Sequence, residues 1–270
     1  MASNLVTNLQ QHPSVMPSVT VQGATEPFDL QVSRNQIAGH STISIFGYNG
    51  NITSSTAPTT APIPLWENAT AYTFPASAAT LTVVSSSTSD NTAASILISG
   101  LDANYNIISE TLFLNGTTAV TSVNSYLRVN SVVMSSAGTS QVTNVGTITF
   151  KQGTNIVAQI NPKVGKNQNS IFTVPNGYTF YLYVVEVNSD NTLGSGSGMY
   201  YNVQQTTNGV QYNVLTQGFS SVYVIDRSTS PFVYPQKSDI QWQIATTSST
   251  AILSGAIIIG KLIKNNGQTA

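Results

Sequence analysis

The stretch that decides the fold runs from Ser95 to Met134 and reads SILISGLDANYNIISETLFLNGTTAVTSVNSYLRVNSVVM. Its apolar and alternating segments are short, and residues that favour tight turns separate them. The clearest turns are Asp102-Ala103-Asn104 and Asn115-Gly116, and the second pair is typical of a two-residue β-hairpin. The stretch therefore predicts consecutive antiparallel strands, and it contains no catalytic motif.

The alternation within this stretch predicts which side chains face the core. Ile108, Leu112 and Leu114 share one parity, with Glu110 as the charged exception. On the returning strand, predicted from Tyr126 to Val133, Arg128 is the natural partner for that carboxylate. We therefore predict a cross-strand pair between Arg128 and Glu110.

The same pattern extends in both directions from this stretch. Every further segment predicted as a strand is short, rich in β-branched or aromatic residues and bounded by turn signals. They are Phe28–Val32, Thr42–Phe46, Thr80–Val84, Ile96–Gly100, Gly146–Phe150, Ile171–Val174, Tyr178–Val187, Met199–Gln204, Val210–Leu215, Val222–Ile225, Ile240–Ile244 and Ala256–Ile263. No stretch longer than two turns has helical periodicity, so the fold class is all-β.

Two segments in the second half carry particular information. Tyr178–Val187 is apolar on both faces, with Phe180, Leu182 and Val184 on one parity, which predicts a central strand or a subunit interface. Asn208-Gly209 lies between two predicted strands and is a second strong hairpin signal.

The domain organisation follows from where the strands cluster. We predict an extended N-terminal arm over residues 1–26, a β-sandwich domain over 27–152, a linker over 153–169 and a jelly-roll-like β-sandwich domain over 170–270. Two interpretations of the arm stay open, since a segment with few large apolar residues either orders on a neighbouring subunit or is a frayed terminus. Trp66 is predicted to anchor a core or an interface.

The composition excludes several classes of function. Only 7% of the 270 residues are charged and 40% are hydrophobic, so the chain can build cores but has little charge to repel its neighbours. The net charge of −1 argues against nucleic-acid binding, and the absence of cysteine excludes disulfides and thiolate metal sites. The first nine residues lack a signal-peptide pattern, and no apolar run is long enough to span a membrane.

Candidate chemistry is sparse. His12 and His40 stand alone, without the spacing of metal ligands. Asp102, Asn104 and Asn106 imitate the start of a calcium loop, but the glycine and glutamate that complete such a loop are absent, so a turn is the better interpretation. The ten carboxylates are scattered and form no local pair, so we assign no catalytic, cofactor-binding or metal-binding residue and expect no enzyme.

The remaining candidates concern contacts. Asp226-Arg227 and Lys237-Ser238-Asp239 are rich in charge for this chain, and we predict salt bridges there that fix loops or subunit register. Tyrosines cluster, and they suit either sugar stacking in a receptor-binding module or packing in cores and interfaces, of which we favour packing. The cluster comprises Tyr181, Tyr183, Tyr200, Tyr201 and Tyr212.

Several of these segments, taken in order, resemble a family of tailed-bacteriophage virion proteins. The segments are RNQIAGHSTISIFGYN, PLWENATAYTFP, GLDANYNIISETLFLNG, SYLRVNSVV and AGTSQVTNVGTITF, with a weaker likeness in FTVPNGYTFYLYVVEV and KSDIQWQIATTSSTAILSGAIIIGKLI. The resemblance covers residues 28–150 best and brings no catalytic residues with it.

The resemblance implies a minor head, decoration or tail-associated component of a virion. We expect a capsid decoration (cement) protein that binds the major capsid protein or other virion proteins, and a homo-oligomer, with a trimer favoured by analogy. A head-tail adaptor, tail or fibre-base protein is the alternative, and a carbohydrate-binding receptor module is the rival from another class. The expected location is the virion, after synthesis in the host cytoplasm.

Overall fold

The computed structural model describes residues 26–52, 62–68, 72–138, 142–189, 199–219, 222–226, 229–247 and 251–265. The predicted arm over 1–26 therefore lies outside the described residues, except for Glu26. The chain divides into two compact units, residues 1–41 and 42–270.

The described part of the first unit contains a short helix, α1 (Phe28–Ser33), so the strand predicted over Phe28–Val32 is wrong. Local polar bonds explain the difference. The backbone N–H of Gln31 donates to the Pro27 carbonyl, the Ser33 hydroxyl donates to the Asp29 carbonyl and Arg34 pairs with Glu26. An alternation of five residues is too short to outweigh such bonds when no neighbouring strand pairs with it.

The rest of the described chain is built of strands. They are β1 (His40–Ile52), β2 (Ile63–Pro64), β3 (Ala79–Ser85), β4 (Ala94–Leu101), β5 (Ile107–Phe113), β6 (Val120–Tyr126), β7 (Arg128–Ala137), β8 (Ile148–Gln152), β9 (Asn155–Ile160), β10 (Ile171–Thr173), β11 (Tyr178–Ser189), β12 (Met199–Thr207), β13 (Val210–Phe219), β14 (Val222–Asp226), β15 (Phe232–Tyr234), β16 (Asp239–Thr246) and β17 (Ile252–Lys264). The all-β fold class is confirmed.

Hydrogen bonding groups these strands into four sheets. Sheet A has the order β1-β17-β11-β14, with β15 also pairing with β11, and sheet B has the order β10-β16-β12-β13, with β2 pairing with β16. Sheet C has the order β6-β3-β8-β9, and sheet D has the order β5-β4-β7. The pairings given in register are all antiparallel.

Two main hydrophobic cores hold the sheets. The first joins side chains of sheets A and B, among them Phe180, Tyr201 and Trp242, all fully buried. The second joins side chains of sheets C and D, among them Ile98 and Phe150. Trp66 lies in a third, smaller cluster, where its ring meets Tyr72 edge to face at 5.3 Å, so the predicted anchoring role in a core is confirmed.

The strand pairings cross the domain boundaries expected from sequence. β1 and β2 fall within residues 27–152, yet they pair with β17 and β16, which fall within 170–270. β9 occupies the expected linker and pairs with β8 in sheet C. The division into domains stays a prediction, and the first core draws on residues far apart in the chain, from Ile45 to Leu262.

β11 departs from strict alternation because it carries a bulge. Its register with β17 shifts between Leu182 and Val184, so Phe180 and Leu182 are buried before the bulge, and Val185 and Val187 after it. A bulge adds one residue to a strand and therefore moves the following side chains to the opposite face. Its position explains why this strand appears apolar on both faces in the sequence.

The two predicted hairpins have different outcomes. Asn208 and Gly209 both have positive φ angles, 52° and 78°, and they join β12 to β13, so this hairpin is confirmed. Asn115-Gly116 is not a hairpin loop, because β5 belongs to sheet D and β6 to sheet C. It forms a turn closed by the Thr118 N–H on the Asn115 carbonyl, at the passage from one sheet to the next.

Gly116 and Gly209 form a matched pair for measuring crowding at positive φ. A Cβ on Gly116 would lie 3.0 Å from the Thr88 Cα, whereas a Cβ on Gly209 meets nothing within 4 Å. We expect Gly209→Val to lower the free energy of unfolding by about 1–2 kcal/mol, the cost of a left-handed residue. Gly116→Val adds overpacking and should cost about 2–5 kcal/mol. Urea unfolding measures both, and equal losses would contradict the crowding at Gly116.

Candidate functional site

A buried ion pair joins sheet D to sheet B. Arg128, the first residue of β7, donates from Nε and Nη2 to the two carboxylate oxygens of Asp239 on β16, each at 2.8 Å. The side chains are only 7% and 9% exposed. The Thr173 hydroxyl of β10 donates to the same carboxylate at 2.6 Å. Because the pair is bidentate and desolvated, it fixes both distance and orientation between the sheets.

The remaining donor of the guanidinium is also satisfied. Nη1 donates to the backbone carbonyls of Pro75 at 2.6 Å and Leu127 at 2.9 Å. The rings of Phe74 and Tyr105 lie with their centroids 5.0 and 5.7 Å from the guanidinium carbon, within the range of cation–π attraction. A charge buried this deeply is stable only when its donors have partners, and here the described residues supply them.

This ion pair replaces the one expected from sequence, and the predicted Arg128–Glu110 pair is wrong. Glu110 accepts hydrogen bonds instead from the backbone N–H groups of Val123 and Asn124, at 3.2 and 2.9 Å. β4 lies between the strands of Glu110 and Arg128, so the two side chains are not cross-strand neighbours. Asp239 forms a salt bridge, as predicted, but the bridge joins strands of two sheets and does not fix a loop or a subunit register. Arg227 lies outside the described residues.

Backbone and amide bonds join β7 to its surroundings on both sides of the ion pair. Asn130 and Thr173 exchange two hydrogen bonds, at 2.9 and 3.0 Å, between the Asn130 side chain and the Thr173 backbone. Asn167 and Val132 also exchange two hydrogen bonds. The Asn167 side-chain oxygen accepts the Val132 N–H at 3.0 Å, and the Asn167 backbone N–H donates to the Val132 carbonyl at 3.0 Å. These paired bonds hold residues 163–169 along β7.

A cleft of about 320 Å³ opens between these elements. We call it the interlayer cleft; it is lined by residues 42–46 of β1, by β4 and β7 of sheet D, and by the segment that contains Lys166 and Asn169. Apolar side chains, including Ile43, Ile45 and Phe172, contribute to the lining. It combines an apolar wall with a few polar groups, which is the usual composition of a small-molecule site.

Two polar side chains of the interlayer cleft are unusual. The Lys166 ammonium lies 4.8 Å from the centroid of the Phe46 ring, and burial lowers the pKa of Lys166. Among the described residues, no carboxylate lies within ion-pair distance of it. Asn169 is only 4% exposed, and its side-chain Nδ2 is buried without a hydrogen-bond partner in the described part of the chain.

Glu67, outside the cleft, is the acidic group whose protonation depends most on its surroundings. Burial raises the pKa of its carboxyl to about 7, although backbone hydrogen bonds from Gln168 and Asn161 act in the opposite direction. One of its oxygens is buried and finds no partner among the described residues. No pattern in the sequence indicates this burial, since Glu67 is one of ten scattered carboxylates.

The structure places the other candidates apart from the cleft. The Asp102 carboxylate accepts the backbone N–H groups of Asn104 and Asn106 at 2.7 and 2.9 Å, so the turn interpretation is confirmed. His40 begins β1, and its ring meets Phe28 edge to face. His12 lies outside the described residues.

The tyrosine cluster is dispersed by the fold. Tyr201 is fully buried in the first core, and Tyr181 and Tyr183 are half-buried on β11. Tyr212 is 51% exposed.

The part of the chain that the structure describes contains no group of three or more His, Cys, Asp or Glu able to hold a metal ion. Nor does any helix among those residues have the length and apolar character to cross a membrane.

Comparison with known proteins gives no family. No family model matches the chain, and neither does any curated protein. Among solved structures, that of infectious bursal disease virus Gx strain is similar at 11% identity, over 85% of this chain and 73% of that chain, with a TM-score of 0.25. The VP2 subviral particle of infectious bursal disease virus is similar at 12% identity, over 90% and 79%, with a TM-score of 0.21. Likeness at this level assigns neither family nor function.

Removal of the Arg128 guanidinium should be strongly destabilising. Arg128→Ala leaves the Asp239 carboxylate buried and unpaired, and we expect it to cost about 3–5 kcal/mol of unfolding free energy. Arg34→Ala, which breaks the exposed pair with Glu26, is the control and should cost about 0–1 kcal/mol. The double variant Arg128→Met/Asp239→Leu should recover much of the loss. A loss at Arg128 no larger than at Arg34, measured by urea unfolding, would contradict the role of the pair.

Glu67 should make stability decrease with rising pH. Its folded-state pKa of about 7 exceeds the ordinary value of 4.5, so the folded state holds the proton longer than the unfolded chain. The stabilising contribution is complete below pH 4.5 and is lost as pH rises through about 7. Melting temperatures across this range should fall less steeply in Glu67→Gln than in the wild type. Parallel curves for the two proteins would show that the carboxyl titrates normally.

Proposed function

We propose that this protein is a structural component of a virus particle. The order of the strands in sheets A and B carries the proposal. Numbered along the chain, β1, β10, β11, β12, β13, β14, β16 and β17 become strands one to eight. Sheet A then has the order 1-8-3-6 and sheet B the order 2-7-4-5. We infer from this order that the two sheets form a jelly-roll sandwich, an architecture common in viral capsid proteins.

Sheets C and D fit the proposal as a second sandwich inserted into the first. All their strands, β3 to β9, lie between β2 and β10 in the chain, and they share the second hydrophobic core. The proposed strand order already pairs β1 with β17, and the insertion increases the sequence separation between these two strands. The proposed architecture is thus one jelly roll interrupted by a smaller antiparallel sandwich, in place of two consecutive domains.

The outer face of sheet D is the surface that best suits assembly. Leu97, Ile107 and Phe113 are 40%, 54% and 61% exposed. Ser109 and Thr111 lie between the last two on the same exposed face of β5, so this face of the strand carries no charge. Apolar and hydroxyl side chains cost little to desolvate, and exposed apolar patches mark interaction sites.

The position in the particle follows from the family resemblance. The segments that resemble tailed-bacteriophage virion proteins favour a capsid decoration protein that binds the major capsid protein, with a head-tail adaptor, tail or fibre-base protein as the alternative. Jelly rolls also occur in lectins, which keeps a carbohydrate-binding module as a second candidate. Within the described part of the tyrosine cluster, Tyr212 is exposed, and its ring therefore suits stacking on a sugar.

Cryo-electron microscopy of purified particles from the source of this chain tests these proposals. Density for the protein on the head surface in many copies supports decoration, and a single ring at a vertex supports the adaptor. Absence of the chain from purified particles, checked by mass spectrometry, overturns the virion role. A glycan array with the purified protein tests the lectin candidate separately.

The outer face of sheet D should govern self-association. We expect light scattering to find a homo-oligomer, with a trimer favoured, and Phe113→Lys to weaken association about tenfold, equivalent to about 1.4 kcal/mol. Val210→Lys changes a residue of similar exposure, 51%, on β13 and serves as the control. A wild-type monomer at micromolar concentration would contradict self-association, and equal effects of the two variants would contradict the choice of surface.

A further inference from the structure

We infer that the interlayer cleft binds a small amphipathic monocarboxylate, with the carboxylate at Lys166 and the apolar part against β1 and Phe172. The inference concerns a site that the proposed virion role does not require, and it stands independently of that role. It depends on two observations: the volume and lining of the cleft, and a cation in that lining that no carboxylate among the described residues neutralises.

The cation is the first requirement for a carboxylate. Lys166 lines the cleft, and none of the carboxylates among the described residues neutralises it. Its ammonium lies over the Phe46 ring at 4.8 Å from the centroid, which favours a positive charge but leaves the hydrogen-bond donors of the ammonium available. A partly desolvated ammonium gains from an anion that can accept its protons.

Asn169 lines the same cleft as Lys166, but its Nδ2 is buried and a ligand in the cleft does not reach it. The Lys166 ammonium therefore holds the carboxylate, and its three N–H donors are enough for both carboxylate oxygens.

The balance of charge and polarity selects the class of ligand. The lining holds one cation and no carboxylate, so one negative charge is neutralised, whereas a dianion such as phosphate would leave a charge buried and unpaired. The lining also contains the apolar side chains of Ile43, Ile45 and Leu262. The cleft, at about 320 Å³, is at the small end of the range for ligand sites, which suits a short apolar chain or a single ring.

Isothermal titration calorimetry on the full chain tests the inference with three probes that share one tail: octanoate, 1-octanol and octylamine. Because a hydrogen bond to a charged group is stronger than a neutral one, octanoate should bind about tenfold to a hundredfold more tightly than 1-octanol, and octylamine most weakly. Equal affinity for octanoate and 1-octanol, or no binding of octanoate at millimolar concentration, would overturn the inference.

Two variants locate the site. Lys166→Met keeps the length of the side chain and should abolish the preference for octanoate over 1-octanol. Lys151→Met removes the same charge from β8, outside the cleft, and should leave the preference unchanged. Equal losses at Lys151 and Lys166 would show nonspecific attraction and overturn the site, and so would a preference for octanoate that survives in Lys166→Met.

Discussion

The rest of the structure depends on the buried contact between Arg128 and Asp239. Arg128 lies on sheet D and Asp239 on sheet B, which contribute to different main cores, and the bidentate geometry fixes the distance and the angle between the two sheets. A buried ion pair adds little net stability compared with a well-packed apolar contact, but breaking it leaves an unpaired charge that is largely shielded from solvent. The pair therefore penalises every arrangement in which sheets B and D are displaced from each other. In a chain with only 7% charged residues, this ion pair makes the packing of the sheets specific.

The few other buried charges are used similarly. Asp90 is fully buried, and its carboxylate accepts the backbone N–H groups of Val145 and Gly146 and the Ser85 hydroxyl. One side chain thus fixes two loops at the end of sheet C. Small polar residues also make buried hydrogen bonds. The Ser170 hydroxyl, for example, donates to the Leu65 and Trp242 carbonyls. The small fraction of charged residues in this protein goes with the use of hydroxyl and amide contacts in place of ion pairs, and it leaves the outer surface available for apolar association.

The sequence predicted the features that depend on residues close together in the chain. Most of the predicted strands, the Asn208-Gly209 hairpin and the Asp102 turn appear at the predicted places, because alternation and turn chemistry act over a few residues. Contacts distant in sequence were not predictable in the same way. The partner of Arg128 is 111 positions away, β1 pairs with β17, and the cleft unites segments from five regions of the chain. The helix Phe28–Ser33 was missed for the opposite reason. The hydrogen bonds that form it are local, but they are polar, and a pattern of apolar residues does not reveal them.

The pairing of β1 with β17 has a consequence for synthesis. The ribosome releases β1 early and β17 last, so sheet A stays incomplete until nearly the whole described chain has emerged. The strands of sheets C and D are consecutive in the chain, so they can pack together before β1 has its partner strand β17. Pairing over such a sequence separation is slow, and during the delay an exposed strand can associate with another nascent chain. The order of emergence thus favours a pathway in which sheets C and D form first and β1 pairs with β17 afterwards.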